Sequence, residues 1–123
     1  MDNIRILIAD DHMLMRMGLA ALFVTIPDME VVGEAKNGKE AVEVTISKRP
    51  DIIIMDLMMP IMNGAEATRQ IHKNSPATRV LILTSYGTSA DIQKAIASGA
   101  SGAILKDTSN EILLKHIRTL AAG

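Results

Sequence analysis

The sequence predicts an α/β fold: five parallel strands in one sheet, with helices covering both faces. Three observations predict it. Short apolar runs alternate five times with segments of helical spacing, the pattern of successive βαβ units. The central run, Ile52-Ile53-Ile54-Met55, is apolar at every position, as expected of a strand buried on both faces of a parallel sheet. Capping residues stand where the intervening helices should begin, which fixes the alternation.

The elements follow in order. Ile4 to Ala9 is an apolar run broken only by Arg5, and Met29 to Ala35 is a weaker one. Asp51 to Met55, Val80 to Leu83 and Ala103 to Leu105 complete the strands. After the last of them, Leu113, Ile117 and Leu120 recur at i, i+4 and i+7, with Leu114 widening the stripe. Asn37-x-x-Glu40, Asn63-x-x-Glu66 and Thr108-x-x-Glu111 place a capping residue three before an acid. Thr88-x-x-Asp91 is a looser version, and Gly99 stands where the fourth helix should end. The second helix, with Val42, Val44, Thr45 and Ile46, is rich in β-branched residues and has the weakest intrinsic propensity. Right-handed crossovers between parallel strands lead to a flavodoxin-like, doubly wound (βα)5 fold with strand order 2-1-3-4-5.

Composition narrows the function classes. The 123 residues make one domain, 48% apolar and 22% charged, which is globular rather than disordered. A net charge of −1 argues against nucleic-acid binding by this segment, since phosphate contacts need a basic surface. One Tyr, one Phe and no Trp leave no platform for stacking bases. Without cysteine there is no disulfide, thiolate chemistry or thiolate metal site. No apolar run approaches the ~20 residues that span a bilayer, and Asp2 and Asp10-Asp11 spoil the layout of a signal peptide. A cytoplasmic domain is expected. The nine methionines, among them Met13, Met15, Met17, Met55, Met58, Met59 and Met62, fill core gaps or flank loops rather than bind metal.

The polar residues converge on one edge. All strands of a parallel sheet end at the same side, and ligands bind outside those carboxyl ends. Asp10 and Asp11 follow strand 1, Asp56 ends strand 3, Thr84 ends strand 4 and Lys106 follows strand 5. Strands 1 and 3 are neighbours in the expected order, about 5 Å apart, so three carboxylates share one small pocket. Clustered acids repel unless a cation joins them, and magnesium suits an all-oxygen site with few protein ligands. Such a pocket suits phosphoryl transfer: a carboxylate attacks in line while metal and ammonium neutralise the equatorial oxygens. Asp56, presented by the rigid central strand, is the candidate nucleophile. Asp11 is the expected direct metal ligand and Asp10 the water-mediated one. His12, His72 and His116 lack ligand spacing and are expected at the surface or in structural roles.

These residues resemble the receiver domain of bacterial two-component response regulators. The likeness rests on "ILIADDH" at 6–12, "DLMMPIMNG" at 56–64, "LILTSY" at 81–86 and "GASGAILKD" at 99–107. The "DDH" start, "MRMGL" at 15–19, "VVGEAKNGKEAVE" at 31–43 and "LKDT" at 105–108 resemble the NarL/FixJ (LuxR-type) subfamily. In that subfamily a helix-turn-helix DNA-binding domain follows the receiver. The resemblance implies that Asp56 accepts phosphate from a sensor histidine kinase. It implies Mg2+ on Asp10, Asp11, Asp56 and the backbone carbonyl of Met58, directly or through water. Thr84 and Lys106 would contact the phosphoryl group, Ser85 would leave access to it, and the side chains of Met58 and Tyr86 would flank the mouth. It further implies slow autodephosphorylation rather than enzymatic turnover, homodimerisation on phosphorylation, and DNA contact only through an output domain. The dimer face is open between the first and fifth helices and the fourth and fifth. The chain stops after the fifth helix, so residues 1–123 are expected to be a receiver separated from its output domain rather than a stand-alone regulator.

At two positions the chain departs from the family pattern. Ala103 stands where many receivers carry an aromatic switch residue, so a Thr–aromatic coupling cannot run through its methyl group. Asp107 stands where many carry proline, and a cis Lys106–Asp107 peptide would then cost ~3–4 kcal/mol. Three rival readings remain. An aspartyl phosphohydrolase needs a second acid two residues after the nucleophile, where this chain has Met58. A flavin carrier needs a hydroxyl-rich phosphate loop and aromatics, where this chain has Asp10-Asp11. A receiver working by protein contact alone fits Ala103 but leaves Asp56, Thr84 and Lys106 without purpose.

Overall fold

The computed structural model describes residues 3–85 and 89–123, Ser89 by its backbone. Strands β1 (Ile4–Ala9), β2 (Met29–Ala35), β3 (Ile52–Met55), β4 (Arg79–Thr84) and β5 (Gly102–Leu105) alternate with five helices. These are α1 (Met13–Val24), α2 (Gly38–Lys48), α3 (Gly64–Asn74), α4 (Ser89–Ala97) and α5 (Asn110–Ala121). All strand pairs are parallel, in the order β2-β1-β3-β4-β5, as the alternation of apolar runs predicts.

The pleat divides the core in two. Ile6, Ile8, Ile52, Ile54, Leu81 and Leu83 face α1 and α5, where Leu19, Phe23, Leu113 and Ile117 meet them. Leu7, Ala9, Ile53, Met55, Val80 and Ile82 face α2, α3 and α4, against Ala41, Ala67, Ile71 and Ala95. Residues Ile52 to Met55 are at most 2% exposed, so β3 is solvated on neither face and its four apolar side chains are all needed. Buried in this way, each contributes on the order of 2 kcal/mol.

Local signals act where the sequence places them, with one shift. Asn37 Oδ1 accepts from the Glu40 amide at 2.8 Å and Asn63 Oδ1 from Glu66 at 2.9 Å. The cap of α5 is Ser109, which accepts from Ile112 at 3.3 Å, not Thr108. The reason is that the Thr108 amide still donates to the Leu105 carbonyl, closing the turn after β5. Thr88 lies outside the described residues. α4 ends in a Schellman arrangement: Ala100 N donates to Ala95 O and Gly99 N to Ile96 O, both at 3.0 Å. Gly99 supplies the left-handed backbone, φ +116°, that this motif requires. No peptide bond among the described residues is cis, and Lys106–Asp107 is therefore trans.

The loop from β3 to α3 holds one strained residue. Ile61 has φ +70°, and Met62 N donates to Pro60 O at 2.7 Å, a three-residue turn closed around it. A β-branched side chain in this region is strained by about 1–3 kcal/mol. Ile61 is 79% exposed, so packing does not offset the strain. Ile61→Gly should raise stability by about 0.5–1 kcal/mol in urea unfolding, strain relief exceeding the added chain entropy of glycine.

Candidate functional site

Three functional residues are each held one step beyond a strand. Asp10 N donates to Ala35 O at 3.0 Å, Asp56 N to Ala9 O at 2.9 Å, and Lys106 N to Thr84 O at 2.9 Å. The parallel ladders therefore continue past the strand ends, β1 onto β2, β3 onto β1 and β5 onto β4. Each side chain leaves a fixed backbone, which is why an apolar run ends on a carboxylate at Asp56.

Lys106 Nζ lies 2.7 Å from Asp10 Oδ2 and 3.5 Å from Asp56 Oδ2. Asp10 and Asp56 are 3% and 5% exposed, while Asp11 stands at the rim. One donor atom from each of Asp10, Asp11, His12 and Asp56 lies within 4.8 Å of the others. Thr84 is buried at the end of β4 and Ser85 beside it is exposed. Ser85, Leu105, Lys106 and Asp107 line a cavity of about 370 Å3 at this edge. Met58 is exposed in the loop after Asp56 and, with Leu57, Met59 and Asn63, borders a second cavity of about 390 Å3. Tyr86 lies outside the described residues. Ala103 is half-buried in β5, opposite Ile82.

The charges do not balance. Burial pushes the Asp56 carboxyl up from its usual range, and the neighbouring Asp10 charge pushes it further, against the pull of Lys106. Burial acts on Asp10 in the same direction, but hydrogen bonds from Lys106 and His12 outweigh it and hold that carboxyl low. Lys106 loses hydration by burial, yet its bond to Asp10 and the charge of Asp56 raise it. One ammonium thus serves Asp10 fully and leaves Asp56 undercompensated beside the rim carboxylate of Asp11. Three carboxylates with surplus negative charge fit a hard divalent cation.

A pH dependence follows with a definite sign. Because the folded value of Asp56 is raised, the folded state favours its protonated form, and stability falls as pH climbs from the unfolded value near 3.8 through the folded one. Asp56→Asn removes this penalty. Metal-free protein with Asp56→Asn should be more stable at neutral pH by about 1–2 kcal/mol, and the difference should vanish below pH 3.8. Urea unfolding at the two pH values measures it.

Two side chains outside the expected site set touch the pocket. His12, expected at the surface or in a structural role, is exposed, with its Nδ1 2.9 Å from Asp10 Oδ1 and 3.2 Å from Asp11 Oδ1. Arg16 Nη1 donates to the Asp10 carbonyl at 2.7 Å, and its Nε meets Glu34 at 3.3 Å. The available signal was spacing: Arg16 lies one helical turn after His12, which directly follows the acidic pair. His72 and His116 are exposed and outside the pocket.

Comparison with known proteins agrees with this geometry. The family model of the response regulator receiver domain matches residues 6–118. The transcriptional regulatory protein LnrK of Bacillus subtilis is 41% identical over 120 residues, covering 98% of this chain and 54% of its own. The response regulator protein VraR of Staphylococcus saprophyticus is 42% identical over 115 residues, covering 94% and 55%. The chain thus spans about half the length of the curated relatives it matches. Among solved structures, the signal receiver domain of NarL from Mycobacterium tuberculosis superposes with a TM-score of 0.95 at 31% identity, covering 100% of this chain and 99% of its own. A LuxR-family response regulator from Aurantimonas sp. SI85-9A1 gives 0.92 at 38% identity, covering 99% and 87%. A five-stranded sheet of this order, an acidic pocket at its carboxyl edge and these relatives agree: the chain belongs to the response regulator receiver domains, within the NarL/FixJ (LuxR-type) subfamily.

Proposed function

We propose that this domain receives a phosphoryl group on Asp56 from the phosphohistidine of a sensor histidine kinase and passes the change to a DNA-binding output domain. The observation that carries the reading is the position of Asp56: buried at the end of the central strand, 3.5 Å from Lys106, beside Asp10 and Asp11. A carboxylate oxygen of Asp56 attacks phosphorus, the P–N bond to histidine breaks, and an acyl phosphate forms. Mg2+ would be held by Asp10, Asp11, Asp56 and the backbone carbonyl of Met58, and when bound it neutralises the phosphoryl oxygens. Lys106 supplies a second positive charge and Thr84 a hydroxyl at the same edge. Hydrolysis of the acyl phosphate, water attacking phosphorus and the Asp56 carboxylate leaving, resets the domain. It acts as a signalling domain, in the cytoplasm where kinase and DNA are both reached. Among the described residues no helix is long and apolar enough to cross a membrane.

Phosphorylation adds nearly two negative charges and three acceptor oxygens. Lys106 follows those oxygens, and its present bond to Asp10 is the contact given up. α4, a short helix whose buried anchor is Ala95, is the element free to shift. Homodimerisation is the proposed output. The α1 side is favoured over the α4 side: Met13, Leu14, Met17 and Val24 are 58–84% exposed on the helix that begins at the pocket. The output domain would be of the helix-turn-helix type and lie beyond residues 1–123.

The test is intact-mass spectrometry after acetyl phosphate, with and without Mg2+. One phosphate per chain is expected, dependent on Mg2+ and lost in Asp56→Ala. A phosphate retained by Asp56→Ala overturns the assignment. The half-buried methyl of Ala103 favours a second reading, a receiver acting by contact without phosphate. It predicts sedimentation unchanged by phosphorylation.

A further inference from the structure

His12 is the member of the pocket that phosphoryl receipt leaves unused. Its ring is 67% exposed, so packing does not force it inward; attraction to the two acids turns Nδ1 toward them, at 2.9 and 3.2 Å. Donor atoms from Asp10, Asp11, His12 and Asp56 all lie within 4.8 Å of one another. An ion with bonds of about 2.0–2.2 Å holds donors at most about 4.4 Å apart, so the four need close only slightly to ring one ion. Lys106 already engages Asp10 at Oδ2, which leaves Oδ1 facing His12.

We infer that His12 supplies a nitrogen donor to this pocket and thereby tunes it toward borderline divalent ions such as Ni2+, Co2+ or Zn2+, alongside Mg2+. The inference rests on the proposed metal pocket and concerns which ion it prefers. Imidazole nitrogen binds these ions well and Mg2+ poorly, whereas carboxylates take either. Without an ion, Nδ1–H bonds Asp10 Oδ1; a metal-bound ring carries its proton on Nε2, so that bond would be given up and the Nδ1 lone pair turned to the ion. The exposed ring lets water meet that proton. His72 and His116 lie outside the cluster.

Isothermal calorimetry of the metal-free chain with Mg2+ and with Ni2+ tests it, on wild type, His12→Gln and Asp11→Asn. Glutamine keeps a hydrogen-bond donor but removes the ring nitrogen. His12→Gln should weaken Ni2+ binding tenfold or more and change Mg2+ binding less than about twofold. With Zn2+ added to histidine-15N-labelled protein, one Nδ1 resonance should shift, and that resonance should be missing in His12→Gln. Equal weakening of both ions makes His12 an orienting hydrogen-bond donor and overturns the inference. Tightening of both makes it a competing cation and overturns it as well. If wild type binds Ni2+ and Asp11→Asn weakens it while His12→Gln does not, the pocket stands and the role of His12 falls. If wild type binds no Mg2+ at all, the pocket itself falls and takes this inference with it.

Discussion

Lys106→Met is expected to lower the unfolding free energy by about 3 kcal/mol at neutral pH in metal-free protein. Nζ is 2.7 Å from an Asp10 carboxylate that is itself almost wholly buried. Methionine keeps most of the side-chain volume, so the loss is electrostatic rather than a cavity. Removing the ammonium leaves two buried carboxylates facing each other, and an unpaired buried charge is penalised more than the intact pair gained. Urea unfolding measures the difference.

The pH profile separates this from a packing defect. The Asp10 carboxyl is held low, so its contribution is present above the unfolded value of about 3.8 and lost as pH falls through the folded one. Lys106 is raised, so its contribution is present below about 10.5 and lost as pH rises through the folded value. The gap between wild type and Lys106→Met should therefore be widest between those limits and narrow in acid. Adding Asp10→Asn should restore part of the loss, with a coupling of about 1–3 kcal/mol. Mg2+ at ten times its Kd stabilises by about 1.4 kcal/mol. It should stabilise Lys106→Met more than wild type, because the ion replaces the missing charge.

Strand order and pocket were legible in the sequence because both follow from burial. A run such as Ile52 to Met55 has one comfortable place, the middle of a covered sheet, and the topology then forces residues after each strand to one edge. Boundaries were less legible. The expected third strand included Asp51, but β3 begins at Ile52; Asp51 instead accepts from Arg5 N at 2.8 Å through its side chain, a bond that apolar periodicity does not report. β4 begins one residue early, at Arg79, because Arg79 N donates to Asp51 O. The Thr108 and Ser109 caps differ by one position, and only the turn after β5 decides between them. The positive φ of Ile61 was invisible, since a β-branched residue there contradicts its own preference. His12 is at the surface as expected, but its contact with Asp10 and Asp11 was not legible, because the pocket gathers acids from different strands around it.

Gly64→Ala should destabilise the domain by about 2–3 kcal/mol, although helix propensity predicts the opposite sign. Gly64 opens α3 with an ordinary helical backbone, where alanine is intrinsically better by about 1 kcal/mol. The obstacle is contact. An added Cβ would fall on the Asp56 carbonyl oxygen, and would lie 2.9 Å from Leu57 Cα and 3.1 Å from Asp56 C. These are backbone atoms, tied by the bond from Gly64 N to Leu57 O at 2.8 Å and from Asp56 N to Ala9 O, so they cannot swing aside as a side chain would. Any relief moves the residue proposed to carry phosphate. Gly64→Ala should therefore also slow acetyl-phosphate labelling by tenfold or more, since a nucleophile displaced by about 1 Å loses that much. Gly18 provides the control. It is exposed in α1 with nothing within 4 Å of an added Cβ, and Gly18→Ala should stabilise by about 0.5–1 kcal/mol without touching the labelling rate. Opposite signs for the same substitution in two helices would identify close approach to Asp56, rather than glycine's flexibility, as the reason α3 starts on Gly64.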